Sequence, residues 1–116
     1  MIRLLLTDVK KALLSVSDKV YHYTASGATG NYIVWAEDGQ NDELCGDGAV
    51  QAQNIEGTID YYTKKEYDPA INTIQKALNQ AGIAFRVNSI QREADTGYIH
   101  YEWVFSLPVE VSDGDL

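Results

Sequence analysis

One cysteine, Cys45, occurs among 116 residues, so the chain has no partner for an internal disulfide, and a disulfide-stapled secreted scaffold is excluded. A reducing compartment fits this count. Prolines number two, and the composition of 45% hydrophobic and 22% charged residues is neither collagenous nor disordered. Bases are scarce: nine Lys and Arg stand against 17 Asp and Glu, for a net charge of -8. Affinity for nucleic acid comes mainly from Lys and Arg releasing counterions, so a phosphate-gripping surface is excluded and an anionic membrane is disfavoured in the same way. No apolar run approaches the 18 or so residues of a membrane span, and the opening leucines Leu4 to Leu6 are interrupted by Thr7-Asp8 and Lys10-Lys11. The expectation is a soluble protein of a cytoplasm.

A chain of this length makes one domain, with about 6,300 Å² of folded surface against about 18,700 Å² unfolded, enough to bury a core without staples. Thr7 suits an N-cap, and Val9, Leu13, Val16 and Val20 recur on one helical face, which predicts a helix over 8–23 that ends at Ala25 to Asn31, where Gly27 and Gly30 stand. Tyr32 to Ala36 reads as a short strand. Glu37 to Gly48 holds five acids, three glycines and no base, and reads as an exposed loop. Ala49 to Thr63 reads as a long strand whose parity changes between Ala52 and Ile55, which predicts a bulge near Gln53-Asn54 or at Gly57. Asp68-Pro69 opens a second helix with the stripe Ala70, Ile71, Ile74, Ala77, Leu78 and Ala81, stopped by Gly82. Two strands follow, one from Ile83 to about Gln91 and one alternating Ile99, Tyr101, Trp103, Phe105 and Leu107, joined by a turn at 92–97 and ended by Pro108 near a sheet edge. The predicted class is α+β: two helices on one face of a mostly antiparallel sheet of about four strands, in the order α-β-β-α-β-β, over residues 1–109, with a frayed acidic tail at 110–116.

Chemistry is sparse in this pattern. Cys45 with His22 or His100 would make a nucleophile and base, but Cys45 sits among acids that oppose thiolate formation, and an incidental thiol is the better reading. His22, placed at the end of the predicted first helix, suits a capping or surface role. His100 lies on the polar parity of the last strand, two residues before Glu102, positioned to pair with a neighbouring strand; two histidines without a third spaced ligand are a weak zinc signal. The acids of the 37–48 loop fail the spacing of a calcium loop, and Gly27-Ala28-Thr29-Gly30 precedes a strand and lacks the P-loop lysine. No catalytic residue, metal or cofactor is implied. Tyr98 and Val104 oppose the inward parity of the last strand, and a sheet covered on one side only leaves its other side to water or to another subunit.

The run Gln53-Asn54-Ile55-Glu56-Gly57-Thr58-Ile59-Asp60-Tyr61-Tyr62-Thr63-Lys64, the Asp68-Pro69 helix through Gly82 and the strand ending Trp103-Val104-Phe105-Ser106-Leu107-Pro108 resemble the small tail-terminator or tail-completion proteins of long-tailed bacteriophages and prophages. The first helix and the strand Tyr32 to Glu37 are similar to elements of the same family, so the resemblance covers about residues 5–108. It implies a non-enzymatic protein that assembles, usually as a hexameric ring, on the end of the tail tube at the head-proximal end of the virion, after synthesis in a bacterial cytoplasm. Its implied partners are further copies of itself, the major tail tube protein and a head-tail connector or head-completion protein, with DNA only as passing cargo and no membrane. The expected ring or partner interface is Glu37, Asp38, Asp42, Glu43, Leu44 and Asp47 in the acidic loop, together with Tyr98 and His100. A head-completion or neck protein is the nearest alternative. A monomeric ligand-binding or regulatory domain is the alternative from another class, separated from a ring by its behaviour in solution.

Overall fold

A computed structural model describes residues 5–46 and 49–110 of the chain, with side chains described at 5–40 and 53–108. The elements are α1 (Leu6–Leu14), β1 (Val20–His22), β2 (Tyr32–Gly46), β3 (Ala49–Thr63), α2 (Ala70–Gln80), β4 (Ala84–Arg92) and β5 (Ile99–Glu110). The class is α+β with two helices, as expected, but the sheet has five strands in the order β1-β2-β3-β5-β4 and is mixed, because β1 runs parallel to β2. Strand alternation separates two faces. Ile33, Trp35, Ile59, Tyr61, Trp103, Phe105 and Leu107 point inward and form one core with Val9 and Leu13 of α1 and Ile74 and Leu78 of α2. Burial of each large side chain in this core contributes about 1.5–3 kcal/mol.

The predicted first helix is shorter than the apolar spacing implied. It opens two residues early, where Asp8 Oδ2 accepts the Leu5 amide at 2.7 Å, and ends at Leu14. Ser15 is the C-cap, its Oγ donating to the Ala12 carbonyl, and beyond it Ser17 Oγ accepts the Lys19 amide, a local bond that offers the backbone a partner other than that of a helix. Val20 to His22 then pair with Ile33 to Trp35 as an edge strand, so His22 stands on a strand and caps no helix.

The predicted loop 37–48 is also corrected. Through Gly46 it is the second half of β2, paired with β3 as far as Gly46 opposite Ala49. The two strands of 15 residues, at about 3.3 Å per residue, account for the long dimension of a molecule measuring 52 × 24 × 23 Å. A partner strand satisfies the backbone of a polar segment without asking it to bury an apolar face, which is why acid content misidentifies it. Register shifts break the alternation at Asp38 and Asn41 of β2 and at Gln51 of β3. The expected bulge at Gln53-Asn54 or Gly57 is absent, and β3 pairs with β5 without a shift from Ala52 to Thr63. Gly57 serves a different need, close packing: a Cβ there would lie 2.6 Å from Phe105 Cζ and against the Ala36 carbonyl.

The second helix begins and stops as its residues predict. Asp68 Oδ1 accepts the Ala70 amide at 2.9 Å, and at the other end Gly82 (φ 77°) donates to the Asn79 carbonyl while Ile83 donates to that of Leu78. The last strand does not end at Pro108 but continues to Glu110 along β3. Pro108 is tolerated because β4 pairs with β5 no farther than Ser106, leaving a local edge beside the proline. The expected tail is therefore a strand residue at Glu110, and 111–116 lie outside the described residues.

Candidate functional site

The face of the sheet opposite the helices carries a concentrated polar and aromatic arrangement. Direct register places Tyr32 of β2 opposite Tyr62 of β3, and Tyr62 opposite His100 of β5. Their rings stack in a row across three strands, with centroids 4.7 Å apart for Tyr32 and Tyr62 and 4.4 Å for Tyr62 and His100. Tyr98 closes the row edge-on to both tyrosines, donates its hydroxyl to the Gly30 carbonyl at 2.9 Å and lies beneath the Lys64 ammonium. Burial, followed by the charge of Asp60, pushes the Tyr62 hydroxyl up to about 12.

One step along the strands, Asp60 stands opposite Glu102. His100 Nε2 and Asp60 Oδ1 are 2.6 Å apart, and donor atoms of Asp60, His100 and Glu102 all lie within 4.8 Å of one another. The His100 and Asp60 side chains are 19% and 16% exposed, enough to limit hydration without closing the site. Burial raises the Asp60 carboxyl above its ordinary range; the His100 hydrogen bond and charge oppose this, and the Glu102 charge adds to it. Asn88 of β4 donates to Glu102 Oε1 at 2.6 Å and accepts from Arg86 at 3.2 Å. Two carboxylates and an imidazole on one partly desolvated patch form a set of donors suited to a cation.

The residues expected at an interface are divided by the fold. Tyr98 and His100 belong to the open face just described. Asp38 faces the same way: burial, then the Glu56 and Glu102 charges, push its carboxyl up. Glu37 follows the parity of Trp35 and is bound to His22 Nε2 at 2.9 Å and to the Tyr23 hydroxyl at 2.5 Å. Burial alone would raise its carboxyl, but the bonds from Tyr23 and His22 outweigh burial and hold it low. Asp42, Glu43 and Leu44 lie on the distal half of β2, opposite Asn54, Gln53 and Ala52, and Asp47 lies outside the described residues. Cys45 is not brought to either histidine: His100 is level with Tyr32 and His22 with Trp35, roughly 30–40 Å along β2 from Cys45 at the spacing of an extended chain.

Asp60, Asn88 and Tyr62 were not singled out by sequence. A signal existed in the pair His100 and Glu102, two same-face residues on one strand, but the partner strand and its register supply the rest. A shallow cleft of about 190 Å³ beside the patch, lined by Glu56, Phe85, Arg86 and Val104 among others, is smaller than the roughly 300 Å³ at which ligand pockets begin. No protein-family model matches the chain, and no curated protein matches it.

Proposed function

We propose that this chain is a structural virion-assembly protein of the tail-terminator type, which caps the phage tail tube, stops its growth and offers the surface that joins tail to head, as a hexameric ring. The observation that carries the reading is a sheet with two unlike free edges. On one side β4 is the outermost strand, with Val87 46% and Ile90 58% exposed. On the other side β1 covers β2 only from Ile33 to Trp35, so the remainder of β2 has no neighbour on its outer edge among the described residues. A head-to-tail ring requires two different patches on one subunit, and the β4 edge of one copy against the outer edge of β2 in the next meets that requirement. The residues resembling tail-completion proteins support the same reading.

In this arrangement the acids of the open face and of the distal β2 line or rim the passage, where they repel phosphate and let DNA slide without sticking. Light scattering on the purified chain should show a ring or concentration-dependent self-association, and Val87→Lys with Ile90→Lys should reduce it. The decisive experiment removes the gene from its phage or prophage. Tails of uncontrolled length, or finished tails that fail to join heads, are the expected result; normal virions reject the proposal. Charge reversal at Asp38, Asp42 and Glu43 that left assembly and DNA passage intact would remove the proposed role of the acids.

A further inference from the structure

The geometry points to a zinc-binding site on the open sheet face: we infer that Asp60, His100 and Glu102 together bind one divalent cation of the zinc class per chain. The three residues come from adjacent strands in unshifted register, with Asp60 opposite Glu102 and His100 one same-face step away. Their donor atoms already lie within 4.8 Å of one another. Zinc with ligands at about 2.0–2.1 Å sets its donors roughly 3.3 Å apart, so the 2.6 Å contact of His100 Nε2 with Asp60 opens by less than an ångström when the metal replaces their shared proton.

The donors are also held for the task. Stacking on Tyr62 sets the plane of the His100 ring. The Asn88 amide, itself bound by Arg86, fixes one oxygen of Glu102. Outer contacts of this kind orient metal ligands and tune their affinity. Among the described residues His100 is the basic side chain within ion-pair distance of Asp60, and Glu102 is held by the Asn88 amide, so no lysine or arginine competes with a metal for these carboxylates. An imidazole beside two carboxylates favours zinc over magnesium or calcium, which take oxygen donors. Three protein donors leave a fourth position for water on the solvent side of the sheet. The site lies within one chain and stands whether or not the chain forms a ring.

Isothermal titration of the metal-free full chain with zinc chloride tests the inference. One saturable site per chain is expected, with magnesium chloride giving none. Asp60→Asn, His100→Asn and the near-isosteric Glu102→Gln should each abolish one-to-one binding while circular dichroism shows the fold kept. Asn88→Ala should weaken binding by about tenfold. His22→Ala should bind as the parent does. Nitrogen NMR provides a second readout, since the chain has two histidines: zinc should shift the ring signals of His100 and leave those of His22 in place. Absence of saturable binding, retention of binding in folded Glu102→Gln, or loss of binding in His22→Ala overturns the assignment.

Discussion

Asp68 and Asp60 are two aspartates within a few residues of one another in sequence, both partly removed from water, and their surroundings drive them in opposite directions. Asp68, 8% exposed, accepts three hydrogen bonds: the Tyr61 and Thr63 hydroxyls each at 2.7 Å and the Ala70 amide at 2.9 Å. Burial alone would raise its carboxyl, but these donors, led by the Ala70 amide, outweigh burial and lower it. Burial, then the bond to Asp68, pushes the Tyr61 hydroxyl well above its ordinary value. Asp60 is bonded by His100 and faces the Glu102 carboxyl, and burial, helped by the Glu102 charge and hydrogen bond, raises its carboxyl. A carboxylate supplied with donors on every side holds the fold together. One bonded by a histidine beside another carboxylate retains the capacity to bind something else.

The largest effect that would break this comparison is at the buried carboxylate. Asp68→Ala takes away the acceptor that the Tyr61 and Thr63 hydroxyls share and removes a bond to the start of α2, and should cost about 3 kcal/mol in urea unfolding. A loss under about 1 kcal/mol would show that the knot is dispensable. Tyr61→Phe and Thr63→Val each remove one donor and should cost about 1 kcal/mol by the same assay. Thr63→Val also releases the Lys65 amide, which Thr63 Oγ1 accepts at 3.1 Å.

A pH series sharpens the contrast. Because the folded pKa of Asp68 is depressed, its contribution is fully present above the unfolded carboxylate value, near pH 3.9, and is lost as pH falls through the lower folded value. The stability gap between the parent chain and Asp68→Asn should therefore be constant from neutrality to about pH 5 and close below about pH 4. A gap independent of pH would assign the effect to packing.

Asp60→Asn is the smallest change expected. In metal-free buffer it relieves the repulsion with Glu102 while keeping shape, and stability should rise slightly, by no more than about 0.5 kcal/mol. A loss of 2 kcal/mol or more in the absence of metal would make Asp60 a structural residue like Asp68, and would erase the distinction.

Legibility in the sequence follows the same division between local and long-range causes. The second helix, from Asp68-Pro69 to Gly82, is written in residues adjacent to the contacts they make, and its start and stop agree with the structure. The alternation Trp103, Phe105, Leu107 likewise names an inward face that is fully buried. The first helix reads too long because Val16 and Val20 keep a helical spacing, whereas Ser17 gives the Lys19 amide a local acceptor outside the helix. The distal part of β2 was misjudged because its acids and glycines describe solvent exposure, whereas strand formation there depends on β3 as a partner.

By itself the sequence determined the α+β class, the core parity of β3 and β5, the bounds of α2 and the excess of acids over bases, since each follows from side chains acting on their own segment of chain. Only the tertiary structure decided that β1 joins the sheet and that Tyr32, Tyr62 and His100 stack. It also decided that Asp60 meets His100 and Glu102. These facts depend on the register between residues as far as 42 positions apart in sequence, and register is set by how whole faces pack against the helices, a quantity that no local pattern encodes.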